Sequence, residues 1–267
     1  MVNFQGSPPY DWEDLLEILR LLRSPEGCPW DREQTHESIR RNFLEETYEA
    51  LEAIDADDPA HICEELGDVL LQVGFHAIME EERGRLDPAD VVHGVCQKLL
   101  FRHPHVFGAL EAKDGEQALV NWEVQKKAEK GHKTTADSLE AVSAYLPALW
   151  RAEKISKKSN QVGFCWDSIL GGLDKLEEEV GELREAILEG KDPQGPHGAY
   201  EELGDVLFMA ARIAQMQGLD PEQALHDACG KFNSRFRTVE TLAGDTDLTT
   251  LSEQALVELW QQAKEQS

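Results

Sequence analysis

"KLEEEVGELREAI", residues 175–187, sets five glutamates into one short segment, and a near-copy, "FLEETYEALEAI", occupies 43–54. Read as helix, the segment puts Glu178 and Glu182 four residues apart and Glu179 and Glu182 three apart, so all three share one side. Like charges this close repel, and a chain that repeats the arrangement needs a reason for it. The sequence around both copies is helical by the same reading. "WEDLLEILRLL" (12–22), "IRRNFLEETYEALEAI" (39–54), "ICEELGDVLLQVGFHAIMEE" (62–81) and "EQALHDACGKFNSRFRTVETL" (222–242) carry apolar residues at spacings of three and four. Alternating period-two runs are missing, and turn residues punctuate at 24–30, 55–59, 86–88, 190–198 and 219–221. The expected fold is all-α.

The repeat extends well beyond the glutamates. "GCPWD" (27–31), "LEETYEALEAI", "EELGDVLLQVGFHA", "LDP", Lys98 and Arg102 recur in order as "GFCWD" (163–167), "LEEEVGELREAI", "EELGDVLFMAARIA", "LDP", Lys231 and Arg235. Glu49 and Glu182, Asp87 and Asp220, and Lys98 and Lys231 are each separated by 133 positions; Asp68 and Asp205 are separated by 137, because the second copy has a longer loop. This is a tandem duplication. The expected organisation is a first domain at 1–125, a linker at 126–150 containing the basic run "KKAEKGHK" (126–133), and a second domain at 151–267.

Composition narrows the function. The chain has 267 residues, 41% of them hydrophobic, which is enough for a real core. With 52 Asp and Glu against 26 Lys and Arg, its formal charge of −26 repels phosphate backbones, so no direct nucleic-acid partner is expected. Five scattered cysteines without a C-x-x-C suit a reducing compartment. No apolar run approaches the ~20 residues of a membrane span and no signal peptide is evident, so a cytoplasmic protein without a membrane partner is expected.

In each copy the acidic segment meets a second one across a turn. Glu202 and Asp205, three apart with Glu201 alongside, follow the 190–198 loop; Glu65 and Asp68 follow "DADDP" and face Glu45, Glu46 and Glu49. About equal helix lengths run from acid to loop and from loop to acid, so an antiparallel hairpin brings the two patches to one height in both copies. A single E-E-x-x-E also reads as an ordinary solvated face. Repetition, the facing E-x-x-D and the matched heights point instead to a shared cation, since unpaired charges crowded together are costly. An all-oxygen donor set without His or Cys suits a hard ion such as Mg²⁺ rather than zinc.

The cations are few and regularly placed. Lys175 precedes Glu178 by one turn, and Lys231 and Arg235 share one helix face, suited to polyphosphate oxygens. Trp166 and Trp260 could stack on a base or pack in the core. There is no phosphate-binding G-x-x-x-x-G-K-[ST], no G-x-G-x-x-G and no H-E-x-x-H. A di-iron centre would need two Glu-x-x-His pairs, and only Glu33-x-x-His36 fits, outside both hairpins. His76 reads as a packed histidine.

Glu45-Glu46-x-x-Glu49 with Glu65-x-x-Asp68, and Glu178-Glu179-x-x-Glu182 with Glu202-x-x-Asp205, resemble the signature of the MazG family of nucleoside triphosphate pyrophosphohydrolases. "GCPWDREQTHESI", "RHPHVF", "NWE", "LPALWRAEKISKKSNQVGF" and "KFNSRF" extend the resemblance over nearly the whole chain. It implies helical hairpins that form four-helix bundles on homodimerisation, and Mg²⁺-dependent hydrolysis of ribo- or deoxyribonucleoside triphosphates to the monophosphate and pyrophosphate. Carried over, Glu179, Glu182, Glu202 and Asp205 would ligate Mg²⁺, while Lys175, Glu178, Glu201, Lys231, Arg235 and Trp260 would contact the nucleotide. Copy one would supply a second metal set in Glu45, Glu46, Glu49, Glu65 and Asp68. The resemblance implies that copy two is the hydrolytic one, and the sequence agrees, since Asn42 stands where copy two has Lys175. Cys165 departs from the "GFDW" common in the family. The alternative is a nucleotide-binding or regulatory helical protein with at least one non-hydrolytic copy.

Overall fold

The computed structural model describes residues 3–130 and 134–266, and among these every regular element is a helix. In chain order they are α1 (Trp12–Arg23), α2 (Pro29–Glu33), α3 (His36–Asp55), α4 (Pro59–Glu82), α5 (Pro88–Arg102), α6 (Pro104–Phe107) and α7 (Gly115–Lys130). There follow α8 (Thr135–Glu140), α9 (Ala148–Asn160), α10 (Ile169–Leu188), α11 (Ala199–Met216), α12 (Pro221–Ala243), a 3₁₀ turn at Leu248–Thr250, and α13 (Glu253–Glu265). The chain divides into two compact units, Met1–Glu129 and Lys130–Ser267. The division falls inside the stretch expected as linker; residues 131–133 of its basic run lie outside the described residues. Helix α9, which that linker overlaps, packs on α11 and α12 of the second unit.

The punctuation in the sequence becomes helix caps. Both "LDP" motifs start a helix: Asp87 accepts from the Ala89 amide and Asp220 from those of Glu222 and Gln223, with proline at the first helical position. These side chains satisfy amides that have no partner inside the helix, and proline has no amide to leave unsatisfied there. Asp220 also accepts from the Trp150 indole at 2.8 Å, which ties α9 to the start of α12. Thr35 with Ser38, and Ser168, cap the two acid-bearing helices α3 and α10.

In the first unit α3 and α4 form an antiparallel hairpin and α1 packs on α4. The core joins Leu16 and Leu19 of α1 to Ile39 of α3 and to Phe75, Ile78 and Met79 of α4. Gly74 allows the close approach, since a Cβ there would stand 2.6 Å from Leu19 Cδ1. Arg20–Glu81 (2.7 Å) and Arg23–Glu82 (2.8 Å) clamp the end of α1 to the end of α4.

His76 does more than pack. Its Nδ1 lies 2.6 Å from Nδ1 of His36, whose Nε2 lies 2.5 Å from Glu80 Oε1, while Phe43 meets the His76 ring edge-on. Glu80 also pairs with Arg83 and Arg85. The Arg85 hydrogen bond, then that of His36, holds the Glu80 carboxyl down to about 2, against an ordinary 4.5. Burial, then the charge of His36, lowers the His76 pKa below its ordinary 6.5. A depressed carboxylate stabilises the fold fully above its unfolded-state value and loses that contribution as pH falls toward the folded value. A depressed histidine costs stability as soon as pH falls below its own unfolded-state value. Glu80→Gln is therefore expected to flatten the decline in melting temperature between about pH 4.5 and 2. The decline that begins below about pH 6.5 should remain. Calorimetric scans of both proteins across this range test the assignment; parallel curves below pH 4.5 would refute it.

In the second unit α10 and α11 form the equivalent hairpin, flanked by α9, and α12 pairs with α13. Arg212 on α11 is only 6% exposed. Its guanidinium donates to the Phe164 carbonyl at 2.6 Å and lies 4.2 Å from the Trp166 ring and 5.2 Å from that of Phe164. Two π faces and a carbonyl thus receive a cation for which, among the described residues, no carboxylate forms an ion pair. Burial lowers its pKa accordingly. This contact fixes the "GFCW" loop to α11, just ahead of the helix that carries Lys175 and the glutamates.

Candidate functional site

The α10–α11 hairpin brings Glu179, Glu202 and Asp205 together: each offers a carboxylate oxygen, and the three lie within 4.8 Å of one another. Glu179 and Glu202 are both 7% exposed, so neither charge can be left to water. Glu182 lies one turn beyond Glu179, and a proton shared with that carboxylate, then burial, then the Glu179 charge raises the Glu182 pKa. Burial, then the charges of Glu179 and Glu201, raises that of Asp205. Lys175 Nζ lies 2.7 Å from Glu178 Oε1 and 2.8 Å from Glu179 Oε1, and these hydrogen bonds raise its own pKa. One ammonium does not offset this many carboxylates, so the site is short of positive charge. Oxygen-only donors at this spacing fit a hard divalent cation.

Copy one builds a related but different cluster. There Glu46, Glu49 and Glu65 lie within 4.8 Å of one another, two from α3 and one from α4. Burial, then the charges of Asp68, Glu49, Glu65 and Glu45, raises the Glu46 pKa. Glu65 is 7% exposed and its Oε2 has no hydrogen-bond partner, while Oε1 meets His61 Nε2 at 3.0 Å. A buried carboxylate oxygen without a donor is what an absent cation would leave. Arg41 pairs with Glu45 at 2.8 Å, and Asn42, at the position of Lys175, carries no charge with which to hold Glu46.

The remaining expected residues lie elsewhere in the second unit. Glu201 accepts the His197 amide at 2.7 Å. Lys231 and Arg235 are on α12, and Trp260 on α13 packs against Phe232, with 4.9 Å between ring centroids. Phe232 and Phe236 stack at 6.1 Å and, with Asn233 and Arg237, line a groove of about 290 Å³. Phe232 is not among the expected residues, although "KFNSRF" sets two aromatics four apart beside Lys231 and Arg235. Two histidines beside the acids are likewise unexpected: His61 on Glu65, and His197, whose Nδ1 lies 3.9 Å from Glu202. His197 has positive φ (54°) in the loop just before α11, a placement that helix spacing cannot announce.

Comparison with known proteins follows the same residues. Residues 34–107 and 170–239 match the model of the MazG nucleotide pyrophosphohydrolase domain, so both hairpins fall within matched segments. The chain is 43% identical over 256 residues to a nucleoside triphosphate pyrophosphohydrolase/pyrophosphatase MazG of Thermotoga maritima, covering 95% of each chain. It is 40% identical over 259 residues to a nucleoside triphosphate pyrophosphohydrolase of Escherichia coli K12, covering 94% of this chain and 96% of the relative. It is also 40% identical over 268 residues to the uncharacterised protein YabN of Bacillus subtilis, covering 97% of this chain and 54% of that longer protein.

Proposed function

The chain belongs to the family of the MazG nucleotide pyrophosphohydrolase domain, and from that premise we propose that it hydrolyses nucleoside triphosphates to the monophosphate and pyrophosphate at copy two, with Mg²⁺ as its metal. The observation that carries this reading is the convergence of Glu179, Glu202 and Asp205 from two helices, with two of the three nearly buried. These three, with Glu182, would hold the ion. When bound, it supplies positive charge to triphosphate oxygens and makes a nearby water more acidic.

The rest of the reaction falls to the chain's own side chains. Lys231 and Arg235 pair with phosphate oxygens, and charge on the departing pyrophosphate is offset there. Glu178, held by Lys175, and Glu201, held by the His197 amide, are the carboxylates beside the trio, and one of them orients and deprotonates the attacking water. Trp260, backed by Phe232, offers a face to the base. Either sugar is accommodated by this reading. No helix among the described residues is long and apolar enough to cross a membrane, and a cytoplasmic enzyme that acts as a homodimer on free nucleotides fits the acidic surface. The domain limits we propose are 1–125 and 151–267, joined by 126–150.

Metal dependence has two readouts. Pyrophosphate release from a panel of ribo- and deoxyribonucleoside triphosphates should occur with Mg²⁺ and stop with EDTA. Stability should follow the ion as well. Glu46, Glu182 and Asp205 carry raised pKa values, so at these three groups the folded chain binds protons more readily than the unfolded one. Without metal, their contribution to stability then falls as pH rises from the ordinary carboxylate range through the raised values. Mg²⁺ should reverse that fall and raise the melting temperature most at neutral pH. A melting temperature indifferent to Mg²⁺ at pH 7 and above would count against the site, whatever the activity.

A further inference from the structure

The second acidic helix of each copy starts at a different point relative to its acids. Helix α4 begins at Pro59, so Glu64 is its sixth residue; helix α11 begins at Ala199, so Glu201, the counterpart of Glu64, is its third. In copy one Asp58 caps the helix, and its Oδ1 accepts from the amides of Ala60 (3.0 Å) and His61 (3.3 Å). Copy two cannot repeat this. Its cap residue is Gly198, which offers no side-chain oxygen, and a Cβ there would stand 2.2 Å from the Asp192 carbonyl oxygen. The loop before it is tightly wound: the Gly198 amide donates to Gly195 and that of Tyr200 to Pro193, both at 3.0 Å. Within that turn His197 holds a φ of 54°, left-handed backbone that is unfavourable for a residue with a Cβ.

The amide so placed donates to Glu201 Oε2 at 2.7 Å. A glutamate at the third helical position that reaches back to the chain ahead of the helix is one half of a capping box. Glu64 sits past the amides that a cap can satisfy, and the left-handed residue of its own loop, Asp57 (φ 51°), gives its amide to the Ile54 carbonyl instead. Glu201 faces the acids as well as the cap, since its charge, after burial and the charge of Glu179, helps to raise the Asp205 pKa. It is exposed, so its remaining oxygen is open to water. Glu178, the other carboxylate beside the trio, is tied to the Lys175 ammonium that also holds Glu179. The imidazole of His197 is 78% exposed and its Nδ1 stays 3.9 Å from Glu202, so the backbone is the engaged part of this residue. We propose that His197 is a positioning residue for hydrolysis at copy two, whose backbone amide aims Glu201 so that this carboxylate, rather than Glu178, orients the attacking water. The proposal deepens the function assigned above and rests on it. The exchange of caps separates the copies: Asp58 closes α4 from outside the acidic set, whereas α11 is closed by a glutamate that adjoins Glu202.

The test is steady-state pyrophosphate release from ATP with Mg²⁺ by the full chain. His197→Val, whose branched side chain resists positive φ, should lower kcat roughly 10- to 100-fold with KM little changed, the scale of a misplaced group at a reacting centre. His197→Gly loses the imidazole but takes positive φ freely and keeps the amide, so it should recover most of that loss. In a chain already carrying Glu201→Ala, adding His197→Val should cost nothing further, because both changes remove the same interaction. His197→Ala replaces the valine variant if that one folds poorly. The rise in melting temperature with Mg²⁺ should be the same in His197→Val as in the unaltered chain, since the carboxylates that would hold the ion are untouched. Full turnover in His197→Val, a glycine variant as slow as the valine one, losses that multiply in the double variant, or a lost response to Mg²⁺ would each overturn the positioning role. No pyrophosphate release by the unaltered chain would instead remove the enzymatic reading, and this one with it.

Discussion

Asp205→Ala and Glu179→Ala are each expected to lower kcat for pyrophosphate release on the order of 10²–10³-fold, the cost of losing one preorganised electrostatic group from an active site. The basis is geometric. Glu179, Glu202 and Asp205 come from two helices and meet within 4.8 Å, so removing one opens the set that would hold the ion. The loss should appear in kcat more than in KM, because the charge the ion offsets grows as the phosphorus–oxygen bond breaks. Glu179→Ala carries a second effect: it takes away one of the two carboxylates holding Lys175, which can then swing fully to Glu178. The counterpart in copy one, Asp68→Ala, should leave kcat within about twofold if hydrolysis belongs to copy two, as the Arg41–Glu45 pairing and Asn42 suggest. Steady-state kinetics on the three variants decide both points. Near-normal turnover in Asp205→Ala would remove the metal site from the reaction, and equal losses in Asp68→Ala would make both copies hydrolytic.

Much of this was legible in the chain. Apolar spacings of three and four, broken by "DADDP" and the two "LDP" motifs, were enough for the helices, because caps and periodicity are local properties. Two loop lengths and the helix rise set the acids at matched heights, and each copy does bring acids of facing helices together. Which acids meet was not legible. Copy one gathers two glutamates from α3 and one from α4, whereas copy two gathers one glutamate from α10 and a glutamate and an aspartate from α11. That choice follows from side-chain rotamers and from where the nearest cation sits, Arg41 outside Glu45 or Lys175 between Glu178 and Glu179, and helix periodicity does not resolve either. The His36–His76–Glu80 chain was hidden for a related reason: residues 36 and 76 meet only once the hairpin has folded. Arg212 stayed invisible because burial of a lone cation depends on the Phe164 and Trp166 rings, which lie 48 and 46 positions away in sequence.

The second large effect concerns the surface that the hairpins leave uncovered. On α10, Leu173, Val180 and Ile187 are 40%, 41% and 61% exposed and recur every seven residues; on α11, Leu203 and Leu207 are 47% and 48% exposed and four apart. Copy one repeats this with Leu44, Tyr48 and Leu51 on α3 and Leu66 and Leu70 on α4, all more than 40% exposed. A seven-residue apolar recurrence on a helix suits the seam of a helical bundle, and apolar side chains exposed at that spacing on a chain otherwise rich in charge fit an interface. Two copies placed hairpin to hairpin would complete four-helix bundles and bury each of these side chains, at about 1.5–3 kcal/mol apiece for full burial. Leu203→Glu with Leu207→Glu is therefore expected to turn a species of twice 30.0 kDa into a monomer in light scattering, where a carboxylate at each position would meet its own counterpart across the seam. Glu179 and Glu182 flank Val180 and Gly181 on the same helix, so loss of the seam should also weaken the stabilisation by Mg²⁺ and lower activity with it. A parent protein that scatters as a 30.0 kDa monomer at full activity would show that one hairpin suffices, and the exposed stripe would then need another occupant.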